Sequence, residues 1–263
     1  MMRSLHIGAT GMLAQQTNVD VISNNIANMN TTAYSKRRAE FTDLLYQNVI
    51  RPGAMSTSSQ TVVPSGIQLG LGVRTAAVYR ITEGGSLTST GNTLDLALRG
   101  RGYFQIELPE GKGIAYTRDG AFQRNGEGVI VTHDGYTVQP EITIPDDAIE
   151  IYVNSSGEVW VKQDGETEEI NVGQLELAAF PNEAGLEAMG NNLFLETEAS
   201  GAPILDNPDT EGFGSVLQGY LETSNVNPVA EITELVSAQR AYEMNSKIIS
   251  TSDQMLNTIN QLK

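Results

Sequence analysis

Hydrophobic residues recur every seven positions at both ends of the chain. Near the start Leu5, Met12, Val19 and Ile26 form one row, with Ala9, Ile22 and Met29 beside it. That spacing predicts an amphipathic or coiled-coil helix. Its other face is amide and hydroxyl, from Gln15, Gln16, Thr17 and Asn18 to Asn24, Asn25 and Asn28, and between Ser4 and Ser35 only Asp20 carries a fixed charge. An exposed helix ordinarily shows Lys and Glu on its polar side. Amides suit a face that hydrogen-bonds to neighbouring protein, so this helix is expected to be packed on several sides. Asn is a weak helix former, and a frayed polar tail is the plainer alternative. At the other end Leu235, Tyr242, Ile249 and Leu256 fall seven apart, with Ala241, Ile248, Met255 and Leu262 in the adjacent row and Pro228 ahead of them as a helix start. Two terminal helices, each marginal alone, are expected to pair. The pair would still expose apolar and amide surface. Further copies of the chain are the natural cover, and an intramolecular hairpin capping one domain is the alternative.

The middle of the chain changes period. Ile151-Tyr152-Val153, Val159-Trp160-Val161 and Gln174-Leu175-Glu176-Leu177 alternate, and Asp119-Gly120, Asn125-Gly126, Asp134-Gly135 and Asp164-Gly165 are turn dipeptides that supply positive φ. A hairpin-rich β domain, a small barrel or sandwich, is expected there. Between it and the first helix, Met55 to Gly72 is rich in Ser, Thr and Gly, which predicts an extended arm or loop. The fold class is therefore α+β: terminal helices forming a coiled-coil layer, a central, mainly antiparallel β domain, and an extended arm. The expected boundaries are 1–45 for the first helix, 46–83 for the arm, 84–224 for the β domain and 225–263 for the last helix.

Charge sharpens the division. Of the 263 residues, 16 are Lys or Arg and 32 are Asp or Glu, a net charge of -16. Residues 1–80 carry +4, residues 81–224 carry -19 and residues 225–263 carry -1. An acidic middle lies between two nearly neutral ends. Such a chain repels phosphate backbones and anionic lipid, so no nucleic-acid partner is expected. No apolar run approaches the length of a membrane span, so no insertion is expected, and the start lacks the apolar core of a cleaved signal peptide. With no cysteine, thiol nucleophiles, disulfides and zinc-thiolate sites are excluded.

Candidate chemistry fails for lack of parts. His6 and His133 are the two histidines, and neither stands in a nucleophile context. Asp146-Asp147 follow Pro145 as a turn or cap would. The glycines of Arg99-Gly100-Arg101-Gly102-Tyr103-Phe104 lack the rest of a dinucleotide fingerprint and read as a strand entry. Lys36-Arg37-Arg38 is a subunit contact or a solvated helix end. No catalytic, cofactor-binding or metal-ligating residue is named, and no cofactor is expected.

Two terminal blocks carry a family signal. Asn18-Val19-Asp20-Val21-Ile22-Ser23-Asn24-Asn25-Ile26-Ala27-Asn28, with Asn30-Thr31-Thr32-Ala33-Tyr34 and Arg37-Arg38-Ala39-Glu40-Phe41 after it, resembles the signature of bacterial flagellar rod and hook proteins. Gly219-Tyr220-Leu221-Glu222-Thr223-Ser224-Asn225-Val226-Asn227 and Gln239-Arg240-Ala241-Tyr242-Glu243-Met244-Asn245-Ser246-Lys247 resemble that family's other end. The middle blocks Leu96 to Phe104, Tyr116 to Phe122, Gln174-Leu175 and Ala188 to Leu193 are similar to its distal-rod members, and the likeness covers essentially the whole chain. Ala33 stands where the family usually has glycine, and Pro228 interrupts a stretch usually free of proline.

The resemblance implies a structural subunit with no reaction to catalyse. It would leave the cytoplasm unfolded through the flagellar type III export apparatus, without a cleaved signal, and polymerise into a rigid, hollow drive shaft crossing the periplasm from motor to hook. Implied partners are other copies of the chain, other rod and hook-junction subunits, the surrounding ring proteins and the export apparatus. Interface candidates are Leu5, Met12, Val19, Ile22, Asn24, Asn25, Ile26 and Asn28 on the first helix, and Leu235, Tyr242, Ile249 and Leu256 on the last. The near-neutral run from Tyr46 to Pro64 is long enough to dock on an adjacent copy and stiffen the shaft. A proximal rod or hook subunit is the alternative within the family; a secreted carbohydrate-active enzyme or binding module is the alternative outside it.

Overall fold

Both heptad patterns form helices. The computed structural model describes residues 2–50, 65–111, 113–163 and 169–261, and in it α1 spans Met2–Ala27 and α2 spans Pro228–Gln261. The Asn227 side chain caps α2: its Oδ1 accepts the N–H groups of Val229 at 3.1 Å and Ala230 at 3.3 Å. Pro228 follows where no donor is needed. Past Ala27, the amide and hydroxyl side chains of Asn28, Asn30, Thr31 and Thr32 favour turns over helix. The Lys36-Arg37-Arg38 cluster is no helix end, since Arg37–Asp43 is a strand.

Two compact units result, and the chain passes repeatedly between them. The first comprises Met1–Ala27, Arg37–Arg80 and Asn227–Lys263. In it α1 and α2 run antiparallel, and a two-stranded ribbon, Arg37–Asp43 paired with Val73–Arg80, packs on α1. The contact is close at Gly72, where a Cβ would lie 2.2 Å from Thr10 Oγ1. The ribbon continues through bonds from Leu44 N–H to Gly72 and Leu71 N–H to Leu45 into the pair Tyr46–Ile50 and Ile67–Gly70. Residues 51–64 of the expected arm lie outside the described residues.

The second unit comprises Asn28–Lys36 and Ile81–Val226. Every strand pairing among the described residues is antiparallel. Its largest sheet runs Glu187–Gly190, Leu193–Leu195, Ile114–Thr117, Tyr103–Glu107, Leu177–Ala179 and Ile204–Asp206, with Val138–Gln139 beside Tyr103–Glu107. A three-stranded sheet of Ala148–Val153, Glu158–Gln163 and Ile170–Gln174 packs its Val153, Val159 and Val161 against Phe104, Ile106, Phe122, Val138 and Leu177. The central strand Tyr103–Glu107 is buried on both faces: Phe104 and Ile106 enter this main core, while Tyr103 joins Tyr116, Ala178, Phe180 and Leu186 on the other side. Edge-to-face rings hold both clusters, Phe104 on Phe122 at 5.1 Å and Tyr116 on Phe180 at 4.8 Å.

The alternation at 174–177 proves to be two strands, one ending at Gln174 and one starting at Leu177. Of the turn dipeptides, Gly135 takes positive φ as expected, at 83°. In the Asn125-Gly126 turn that conformation falls instead on Gly128, at 85°. Gly120 is required for space rather than for φ, since a Cβ there would lie 1.6 Å from the Leu96 carbonyl oxygen. Asp164-Gly165 lies outside the described residues.

Candidate assembly surface

The axis between α1 and α2 is lined by small and polar residues. Ser252 Oγ donates to Ser4 Oγ at 3.1 Å, and Asn25 Nδ2 donates to Glu231 Oε2 at 3.1 Å. Between these ends, a Cβ on Gly11 would lie 2.9 Å from Asn245 Oδ1, and one on Gly8 would lie 2.9 Å from Ile249 Cγ1. The contacts step along α1 from 4 to 11 to 25 and back along α2 from 252 to 245 to 231, so both helices advance by multiples of seven in opposite directions. Gly8 and Asn25 of α1 are buried here, as are Glu231 and Ser252 of α2; Ala14 and Ile22 of α1 and Ala238 of α2 are also buried, Ala14 beside Leu44 and Val73 of the ribbon.

Asn25 also ties the helix to the ribbon. Its Oδ1 accepts the Arg37 N–H at 2.9 Å, and its Nδ2 donates to the Arg37 carbonyl at 2.8 Å. A carboxylate as buried as that of Glu231 needs such a donor, since an unmatched buried charge is costly.

The seven-residue apolar rows flank this axis. Leu5, Met12, Val19 and Ile26 are half-buried, as are Leu235, Ile249 and Leu256; Tyr242 is exposed. Asn25 faces into the helix pair, Ile22 is buried, Asn24 is exposed and Asn28 is half-buried. Val19 and Tyr242 come together with Gln16, Gln239 and Glu243 to line one open groove. Beyond the rows the outer faces are also apolar: Leu13 is 65% exposed, Ile232 52%, Met244 62% and Ile248 47%.

Gly8 and Gly11 were missed by the heptad reading, yet they carried a signal. Glycine inside a helix costs about 1 kcal/mol relative to alanine, so two of them a turn apart ask for a close neighbour. Closeness then pushes the large side chains out of the axis.

Titratable groups elsewhere are arranged for structure. His133 is exposed beside its turn, with Gln123 Nε2 3.2 Å from its ring Nδ1. Asp146 and Asp147 are exposed in a turn, where Asp147 accepts from Gln163 at 3.4 Å. Gly100 and Gly102 form the turn between the strands Leu96–Arg99 and Tyr103–Glu107. Tyr46 donates its hydroxyl to Asp43, and that bond, followed by the carboxylate charge, raises the phenol above its usual pKa of 10.0. Among the described residues no cluster of His, Asp and Glu is close enough to hold a metal ion.

Known proteins match along the whole chain. Residues 5–34 match the family described as flagella basal body rod protein. Residues 97–161 match the D1 domain described for flagellar hook protein FlgE/F/G, and residues 217–262 the C-terminal region of flagellar basal body rod FlgEFG proteins. The chain is 57% identical over 262 residues to the flagellar basal-body rod protein FlgG of Caulobacter vibrioides, covering all of both chains. It is 52% identical over 260 residues to that of Agrobacterium fabrum, covering 99% of each. To that of Bacillus subtilis it is 40% identical over 268 residues, again covering all of both.

Proposed function

The chain belongs to the flagellar basal-body rod protein family, and from that premise we propose that it is the repeating subunit of the distal rod, a stiff hollow shaft carrying torque from motor to hook. It is a structural protein of the flagellar basal body and not an enzyme. What carries the polymer reading is the helix pair. Its polar and small axis is satisfied within the chain, while its apolar rows and outer faces are left half-covered or bare over the length of both helices. Apolar surface on that scale favours burial against identical neighbours, and repeated heterologous contacts that do not close on themselves build a helical tube.

In this reading the helix pairs form the inner coiled-coil layer of the tube. Leu5, Met12, Val19, Ile26, Leu235, Tyr242, Ile249 and Leu256 meet neighbouring copies, with Asn24 and Asn28 bonding alongside. Ile22 and Asn25 keep the pair in register so that it presents those rows. The run from Tyr46 to Pro64 serves as the arm that docks on an adjacent copy. The partners are further copies, the adjoining rod and hook-junction subunits, the ring proteins around the shaft and the export apparatus. The shaft crosses the periplasm, and the subunit reaches it without a cleaved signal.

Negative-stain imaging of concentrated full-length protein is expected to show straight tubes. Removing residues 1–27 or 232–263 is expected to abolish them and to leave a folded β unit, because the main core is drawn from residues 94–216. Tubes from either truncated form would refute this reading of the helices.

A further inference from the structure

Three segments of the β unit carry its connections to the rest of the chain: 28–36, the stretch beginning at Ile81 and the stretch ending at Val226. Two side chains sew them together. Asn225 Oδ1 accepts the Lys36 N–H at 2.7 Å, and its Nδ2 donates to the carbonyls of Ile81 at 3.2 Å and Glu83 at 2.8 Å. Its carbonyl and its amino group are thus both engaged, each on a different segment. The Asn225 N–H also reaches the Tyr34 carbonyl at 3.3 Å.

Glu222 repeats the arrangement three residues earlier. Its backbone carbonyl accepts the Ala33 N–H at 2.8 Å, its Oε1 accepts the Gly85 N–H at 2.8 Å, and its Oε2 pairs with Arg118 Nε at 3.0 Å. Arg118 in turn donates to the carbonyls of Gly100 at 3.0 Å and Gly102 at 3.4 Å, at the start of the central strand Tyr103–Glu107. Backbone bonds complete the weave, from Ile81 N–H to Lys36 at 2.9 Å and from Thr223 N–H to Ser86 at 2.8 Å. The segments touch backbone to backbone, since a Cβ on Gly85 would lie 1.7 Å from the Thr223 oxygen.

Bonds loaded one after another peel apart singly, whereas bonds that cross-link several segments must fail together. We propose that Asn225 and Glu222 form a load-sharing clasp, in which force arriving along any one connecting segment spreads to the other two and, through Arg118, into the β core. The force invoked is the torque of the rod reading, on which this inference rests. The bonds of the clasp do not depend on that reading.

Hydrogen exchange on the full chain tests the clasp itself. Asn225→Ala removes every side-chain bond; Asn225→Asp keeps the acceptor for Lys36 and loses both donors, which guards against simple misfolding of the first variant. Asn125→Ala is the control, because the Asn125 side chain closes a local turn by accepting from Glu127 and Val129. The N–H groups of Ile81 and Thr223, which are bonded to Lys36 and Ser86 and not to the Asn225 side chain, are expected to exchange about tenfold faster in both Asn225 variants. Ile106 and Leu177 in the core are expected to keep their rates. Retained protection at Ile81 and Thr223 would overturn the clasp, as would equal acceleration in the core, which would make Asn225 a contributor to general stability.

Swimming tests the load. In cells lacking their own rod subunit the wild-type chain must first restore motility; failure there counts against the rod reading alone. With that control in place, Asn225→Ala cells are expected to swim in dilute medium and to lose speed disproportionately as viscosity rises. An equal fractional loss at every viscosity would overturn load sharing.

Discussion

Ala33 adopts φ 54° while only 6% exposed, and its N–H is held by the Glu222 carbonyl at 2.8 Å. A residue with a Cβ pays about 1–2 kcal/mol in that left-handed conformation, whereas glycine adopts it freely but starts from a more disordered unfolded chain. Ala33→Gly is therefore expected to stabilise the β unit by about 0.5 kcal/mol, read as a raised denaturation midpoint. A lowered midpoint would mean that the alanine methyl contributes more by packing than it costs in strain. Arg118 and Glu222 set the opposite case, a buried pair whose side chains are 8% and 5% exposed. Arg118→Met is expected to cost about 3–5 kcal/mol, because it strands a buried carboxylate and two carbonyls. A loss below about 1 kcal/mol by chemical denaturation would show that water replaces the guanidinium.

Glycine does different work at the scale of an element. At Gly8 and Gly11 it lets α1 approach α2 so closely that Asn245 and Ile249 fill the space of a side chain. An exposed helical glycine replaced by leucine would gain close to 1 kcal/mol from helix propensity. Gly11→Leu is expected to do the reverse, parting the helices and preventing tubes at concentrations where the wild-type chain forms them, while the β unit melts unchanged. Normal tubes from that variant, seen by electron microscopy, would show that the close approach is dispensable. The apolar heptads were legible because helical periodicity is local. Their place at the flank of the pair was not, because it depends on which residues of the partner helix fill the axis.

Net charge acts on the molecule as a whole. Copies carrying -16 each repel one another, and most of that charge lies in residues 81–224. Raising the ionic strength from about 0.01 M to about 0.1 M shortens the screening length from about 30 Å to about 10 Å, so the concentration needed for tube formation is expected to fall as salt is added. Sedimentation of polymer across a salt series checks this, and a rise in that concentration would mean that ion pairs between copies outweigh the repulsion. Apolar burial, unlike these charges, is not weakened by such salt.

The sequence alone determined what nearest neighbours along the chain can decide: two amphipathic helices, a start at Pro228, hairpin strands between them, and an acidic middle between nearly neutral ends. Family identity was equally plain in its terminal blocks, because those residues recur as words. Tertiary structure decided which face of each helix is the axis, that Arg37–Asp43 belongs to a ribbon on α1, and that positive φ falls on Gly128 rather than Gly126. It also joined Asn225 to Lys36 across 189 residues and Asn25 to Glu231 across 206. Periodicity reports that a residue is apolar or polar. A hydrogen bond or a close approach also needs the partner's position, and that exists only once the chain has folded.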